Sequence, residues 1–364
     1  MAYGRVQMAR SERNDPAQSR VTIRDVAAAA EVSIATVSHA LNGKGRVDAE
    51  TRERVAAVAE RLGYRPSRVA RALRTQKFGA IAFLVPAFER PGTQAQMLSL
   101  DIYMRQVSAA ARALITHDYS LTLMPAASVD DLGSYGVDGG IICDPLRGDP
   151  LVAAFVDHGL PVVTIERRPE APQDRLHVRA DNEGNTLELL DHLAGAGAQR
   201  VGLLSITADI AWARETETAF LAWCDARVLP PRIGYVSPHE MTDGAWRAAG
   251  EMLDAPEPVD AIFASTQPFA SGVMRAADER SLAIPDDLLV AAGIDGREMS
   301  VATPQITAID VRPGAQGAAA AELLIARISN DGEVGERDAK VHAPVITASA
   351  LRVRASTSRP AAGA

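Results

Sequence analysis

From Phe78 onward, short aliphatic or β-branched runs alternate with longer stretches whose apolar residues recur at helical spacing, and this alternation restricts the fold more than any other feature. The runs predict strands over 80–85, 120–124, 139–143, 161–165, 176–180, 200–205, 260–264, 288–293 and 306–310. Between them the spacing predicts helices over 102–116, 182–194, 211–226, 244–253, 269–280 and 314–329. Strand and helix in strict succession call for parallel strands joined by helical crossovers, with helices on both faces of each sheet. So many units exceed one sheet of ordinary width, and the expected α/β body has two Rossmann-like, doubly wound halves.

The segment ahead of this body is of another kind. Val26, Ala27 and Ala30 fall at helical spacing, Glu31-Val32-Ser33 interrupts, and the pattern resumes through Val37 and Leu41: a short helix, a tight turn and a second short helix. Ser33 is placed to accept from the free N–H groups that open the second helix, and Asn42-Gly43 suits its end. A third helix follows its cap, Asp48, to about residue 62, with Val55, Val58, Ala59 and Leu62 on one face. Packed on Val26, Val32, Val37, Leu41, Val55 and Leu62, the three helices make a self-sufficient module. The second helix turns Ile34, Ala35, Thr36, Ser38 and His39 outward, short side chains and an imidazole that suit a DNA major groove. The same face would also serve a solvated helix in an ordinary bundle. Charge separates the two readings: residues 20–77 carry 12 Lys and Arg against 6 Asp and Glu, while residues 78–364 carry 23 against 38. A basic head on an acidic body is the footprint of phosphate binding.

On the residues TIRDVAAAAEVSIATVSHALNG and VDAETRERVAAVAERLGYRPSRVARALRT, the head resembles the DNA-binding domain of the lactose-repressor (LacI/GalR) family of bacterial transcription regulators. The resemblance implies that Ile34, Ala35 and His39 read bases, and that Thr22, Ser33, Thr36, Asn42, Arg46 and Tyr64 hold the sugar-phosphate backbone. His39 stands where many members carry Arg, which removes a bidentate grip on guanine. Glu31 replaces a common turn glycine, so a turn without a positive φ is expected. After Pro66, residues 67–74 have room for two helical turns, too short to be stable alone. The family precedent makes them a hinge helix that pairs with its twin in a homodimer and enters the minor groove. Ser67 belongs to it, Ala70 would permit close packing and Leu73 would wedge between base steps; a plain basic linker is the other reading.

The resemblance continues through GVDGGIICDP, GLPVVTIERRP, VRADNEGNTLELLDHLAGAGAQRVGLL, SLAIPDDLLVAAGID and TPQITAIDV, which track the family's effector-binding body, itself similar to the periplasmic sugar-binding fold. The implied organisation is a leader (1–19), a helix-turn-helix domain (20–64), a hinge (65–77), a two-lobed body (78–355) and a tail (356–364). The N-lobe would take about 78–178 and 311–341 and the C-lobe about 179–310 and 342–355, with crossings near Val178, Asp310 and His342. A small-molecule effector, a sugar or related metabolite, would occupy the cleft at the carboxyl ends of the two sheets. By position, Asp295 would grip ligand hydroxyls and Glu166 would supply a second polar contact. Thr216 precedes Phe220 where the family commonly carries Arg, with Arg214 two places earlier. Thr266-Gln267 replaces an Asn-Asp pair, and His239 lies where some members place a stacking ring. For Glu166 and Arg214 a surface ion pair is the alternative.

Other classes fit poorly. No stretch approaches eighteen apolar residues, so no membrane partner is expected, and the polar leader has no signal-peptide pattern. The two cysteines, Cys143 and Cys224, read as reduced core thiols of a cytoplasmic protein. No Cys/His grouping has metal-ligand spacing, and no cofactor is implied. No nucleophile elbow, dinucleotide fingerprint or P-loop accompanies the strands, so catalysis is not expected. A free solute-binding protein would not carry the basic head, and an architectural DNA binder would not need the body. The last ten residues have no heptad pattern that could add a tetramerising helix, which leaves a dimer on a palindromic operator. The reading is a repressor controlled by effector, with inducer and corepressor both compatible.

Overall fold

The computed structural model describes residues 21–41, 47–64, 77–86, 100–124, 132–171, 173–330 and 344–358, within two units, Met1–Lys77 and Phe78–Ala364. In the first unit, α1 (Ile23–Ala29), α2 (Ile34–Leu41) and α3 (Ala49–Arg61) pack on Val26, Val37 and Val55, all fully buried, with Val32, Leu41 and Leu62 at the rim. The Asp48 carboxylate accepts the Thr51 N–H at 2.8 Å and caps α3, a contact of about 1 kcal/mol in helices generally. The α1–α2 turn departs from expectation: Glu31 has φ 52°. A left-handed residue there lets the Val32 N–H return to the Ala27 carbonyl at 3.1 Å, which satisfies an otherwise orphaned helix end.

The second unit contains two six-stranded sheets. The first has the order β11-β5-β4-β3-β1-β2, from β1 (Ala80–Leu84), β2 (Ser120–Leu123), β3 (Gly140–Cys143), β4 (Val162–Ile165), β5 (His177–Ala180) and β11 (Val345–Thr347), all parallel. The second has the order β12-β10-β9-β8-β6-β7, from β6 (Val201–Ile206), β7 (Arg232–Val236), β8 (Ala261–Ala264), β9 (Leu289–Ala292), β10 (Thr307–Asp310) and β12 (Ala350–Arg352); only β12 runs antiparallel to its neighbour. The central strands β3, β8 and β9 are buried at every position, as a sheet covered on both faces requires.

Helices supply the cover. On the first lobe α4 (Asp101–Thr116) packs along α11 (Pro313–Asn330), and α5 (Pro150–Asp157) lies on β3 and β4. On the second, α6 (Asn182–Gly195) packs on α7 (Ala211–Ala226), and α8 (Met241–Leu253) on α9 (Gln267–Glu279); α10 (Arg297–Val301) is a short turn after β9. The two sheets, the parallel strands and the alternation are as the sequence predicts. No helix among the described residues is long and apolar enough to cross a membrane. Cys143 and Cys224 are free and buried.

Several boundaries are corrected. Strand β5 stays in the first sheet to Ala180, so the first crossing falls at Asp181. Strand β11 pairs with β5, which places residues 345–347 in the first lobe and the third crossing at 348–349, not near His342. Nor do Ser356 and Thr357 belong to a tail. The Ser356 hydroxyl accepts the Thr307 N–H at 2.8 Å and donates to the Val290 carbonyl at 2.6 Å, and both residues are buried in the second lobe. The expected leader, the hinge positions Ser67, Ala70 and Leu73, His342 and residues 359–364 lie outside the described residues.

Candidate functional site

Two places concentrate function, one in each unit. In the head, the Ser33 hydroxyl accepts the Thr36 N–H at 3.0 Å and lies 2.9 Å from the Thr36 hydroxyl, which fixes the start of α2. That leaves Ile34, Ala35 and His39 exposed on one face, with Ile34 46% accessible, while Val37 and Ala40 pack inward. Both the backbone N–H and the hydroxyl of Thr22 donate to the Asp25 carboxylate at 2.8 Å. Those bonds lower the Asp25 pKa, and Thr22 can donate to a phosphate only by leaving Asp25. Tyr64 is half-buried against the head's core. Asn42 and Arg46 lie outside the described residues.

In the body, a cavity of about 80 Å³ lies between the lobes. Its walls come from the carboxyl ends of parallel strands: Asp144 after β3, Glu166 after β4, Ser265 and Thr266 after β8, Gly293 after β9. Of the sequence-predicted cleft residues it brings together Glu166, Thr216, Thr266 and Gln267. Arg214, His239 and Asp295 do not line it. The Arg214 guanidinium holds Asp209 at 2.5 Å and lines an open surface groove. His239 sits in the turn between β7 and α8, its N–H on the Ser237 hydroxyl. Asp295 is gripped by Arg354 through two bonds of 2.8 Å, in a pair with side chains only 13% and 16% exposed. Its carboxylate is already matched within the lobe.

The carboxylates the sequence did not pair are Asp144 and Glu166. Both are buried, and both occupy left-handed backbone, φ 44° and 71°, a conformation that costs a non-glycine residue about 1 kcal/mol and clusters at functional sites. The Asp144 carboxylate accepts the Tyr103 hydroxyl at 2.6 Å. Glu166 accepts the Ala180 N–H at 3.1 Å and the Asn182 amide at 2.8 Å. Burial raises Asp144 to about 6 against its Tyr103 bond. Burial, then the charge of Asp144, raises Glu166 to about 8. Gln106, on the otherwise apolar inner face of α4, donates to Gln316 at 3.1 Å and fixes the floor. A polar residue on that buried face was the signal available in the sequence. On the opposite wall, Ser265 Oγ, Thr266 Oγ1 and Gln267 Nε2 are buried without a partner.

The lobes are clasped beside this cavity. The Arg147 N–H reaches the Asp209 carbonyl at 3.0 Å, its side chain reaches the Asp209 carboxylate at 2.8 Å, and Leu146 bridges Ile210. Among the described residues no group of His, Cys, Asp and Glu is set to hold a metal ion.

A self-contained helix-turn-helix head joined to a two-lobed receptor with an interlobe cavity defines a ligand-controlled DNA-binding regulator. Comparison with known proteins agrees. Residues 22–67 match the model of bacterial regulatory proteins of the lacI family, and residues 190–357 match a periplasmic binding protein-like domain. The HTH-type transcriptional regulator AglR of Rhizobium meliloti (strain 1021) is 28% identical over 93% of this chain and 94% of its own. Catabolite control protein A of Priestia megaterium is also 28% identical, over 85% and 93%. Among solved structures, the transcriptional regulator CelR–cellobiose complex matches with TM-score 0.68 at 25% identity, covering 93% of this chain and 100% of that one. The Lac repressor dimer bound to operator and the anti-inducer ONPF shares the fold, with TM-score 0.76 at 22% identity over 93% and 99%. The chain belongs to the lacI family of bacterial regulatory proteins, which are transcription regulators and not enzymes.

Proposed function

We propose that the chain binds a two-fold symmetric operator as a homodimer through its head, represses from that site, and changes its grip when a sugar or related metabolite fills the interlobe cavity. The observation that carries the DNA reading is the outer face of α2, where a capped helix start leaves Ile34, Ala35 and His39 uncovered on a basic module. Ile34 and Ala35 suit thymine methyls, and the His39 imidazole suits a base edge. Thr22, Ser33, Thr36, Asn42, Arg46 and Tyr64 are assigned to the sugar-phosphate backbone. Effector control requires that the ligand bind two arrangements of the lobes with different affinity, and DNA must then change ligand affinity by the same factor. The partnerless hydroxyls and amide of the cavity support such a ligand, and CelR, a relative at 25% identity, is solved with cellobiose.

Duplexes selected from a random pool, followed by a salt titration of the best one, test the DNA half. A dyad-symmetric sequence should emerge, and log affinity should fall steeply with log salt, by about 0.9 per phosphate contact. A flat salt response, or no preference over random duplex, would refute it.

A further inference from the structure

We propose that the cavity selects a small cation: a molecule with a protonated amine beside hydroxyl or carbonyl acceptors, which within the sugar class means an amino sugar over its neutral counterpart. This rests on the regulator reading and deepens it.

The first observation is how buried carboxylates are matched in this body. Asp295 faces Arg354 at 2.8 Å, and Glu215 takes Arg167 Nε at 2.8 Å with Arg179 at 3.8 Å. Asp144 and Glu166 are treated differently. Their partners are neutral donors: the Tyr103 hydroxyl, the Ala180 N–H and the Asn182 amide. Among the described residues lining the cavity there is no Lys, Arg or His. Two acids share one buried wall with no positive charge opposite, an arrangement that resists ionisation of both. Neutral hydroxyls would fill their lone pairs but leave the negative charge of the pair uncompensated. An ammonium donates to both and cancels one charge, through hydrogen bonds about twice as strong as neutral ones. The raised Glu166 and Asp144 register the strain that such a ligand would relieve.

The second observation is independent and lies on the other lobe. Ser265, Thr266 and Gln267 are 3%, 8% and 4% exposed, and their side-chain Oγ, Oγ1 and Nε2 atoms lack partners. The amide nitrogen only donates, so the ligand must also present an acceptor to it. The flanks from Trp212, Phe263 and Ile294 are apolar and would cover a carbon skeleton. The occupant therefore needs an ammonium toward the first lobe, an acceptor toward the second, and a compact body between.

Calorimetric titration of the full chain with D-glucosamine and D-galactosamine, each against D-glucose, D-galactose and the N-acetylated form, tests this on shape-matched probes. At least one amino sugar should bind on the order of tenfold to a hundredfold more tightly than its neutral partners, the range of one charge-assisted hydrogen bond. Asp144→Asn should remove that discrimination. The probe comparison uses the unaltered chain, so it stands even if the variant fails to fold. Neutral probes binding as tightly as their amines, or no binding of either amine at millimolar concentration, would overturn the proposal. Release of the selected operator is read in parallel. A neutral sugar that binds and releases DNA overturns the cation and leaves the regulator standing, whereas a chain that selects no duplex overturns the regulator itself.

Discussion

Replacing Glu166 with Gln tests whether the cavity holds a carboxyl group that resists ionisation. In the fold Glu166 titrates near 8, raised by burial and by Asp144, whereas unfolded it returns to 4.5. Between these values the native state keeps a proton that the unfolded chain has lost, so stability is fully present below about 4.5 and declines as pH rises toward 8. From about pH 5.5 to about pH 7.5 the ligand-free protein should lose about 2 to 3 kcal/mol through this residue alone. The glutamine amide of the variant cannot ionise. It also offers one acceptor where Glu166 offered two to the Ala180 N–H and the Asn182 amide, so the variant carries a cost that does not vary with pH. The slope, not the offset, is the readout. All three tryptophans, Trp212, Trp223 and Trp246, lie in the body, so their fluorescence during urea unfolding reports this unit alone. Parallel pH profiles for wild type and variant would refute the reasoning, as would a variant whose stability falls more steeply than wild type over that range.

Two further outcomes concern parts remote from ligand. Glu31→Gly should relieve the left-handed turn between α1 and α2 and stabilise the head by about 1 kcal/mol, seen as slower amide exchange at Val26 and Val37; unchanged or faster exchange would count against it. Arg354→Met strands the Asp295 carboxylate in a site with little solvent and should cost the body about 3 to 5 kcal/mol by urea unfolding, with part recovered by adding Asp295→Asn. A loss below about 1 kcal/mol would show the pair to be solvated.

What the sequence disclosed follows from where its signals are local. Strands buried on both faces, such as Gly140-Ile141-Ile142-Cys143, announce themselves as uninterrupted apolar runs, and the long helices carry their own periodicity. Strand β7, Arg-Ile-Gly-Tyr-Val at a sheet edge, is only partly covered over most of its length and has no such run. The three-residue strands β11 and β12 owe their existence to partners far away in sequence, at β5 and β10. The site divides in the same way. Glu166, Thr266 and Gln267 lie just after strands, and the resemblance to the family's cleft positions pointed to them. That Asp295 is matched by Arg354, and that Asp144 has no such counterpart, are facts about residues dozens of positions apart. Glu31 shows the converse: the residue type argued against a left-handed turn, and the need to close the Val32–Ala27 hydrogen bond prevailed.

The late return of the chain to both sheets has a consequence for biosynthesis. Strand β11 completes one sheet, β12 the other, and Ser356 with Thr357 fills the base of the second lobe, all within residues 345–357. While the ribosome still covers that stretch, β5 and β10 lack their outer neighbours, and the Thr307 N–H and the Val290 carbonyl lack Ser356. A chain interrupted before residue 344 would thus yield two unfinished halves in place of one sound lobe and one missing.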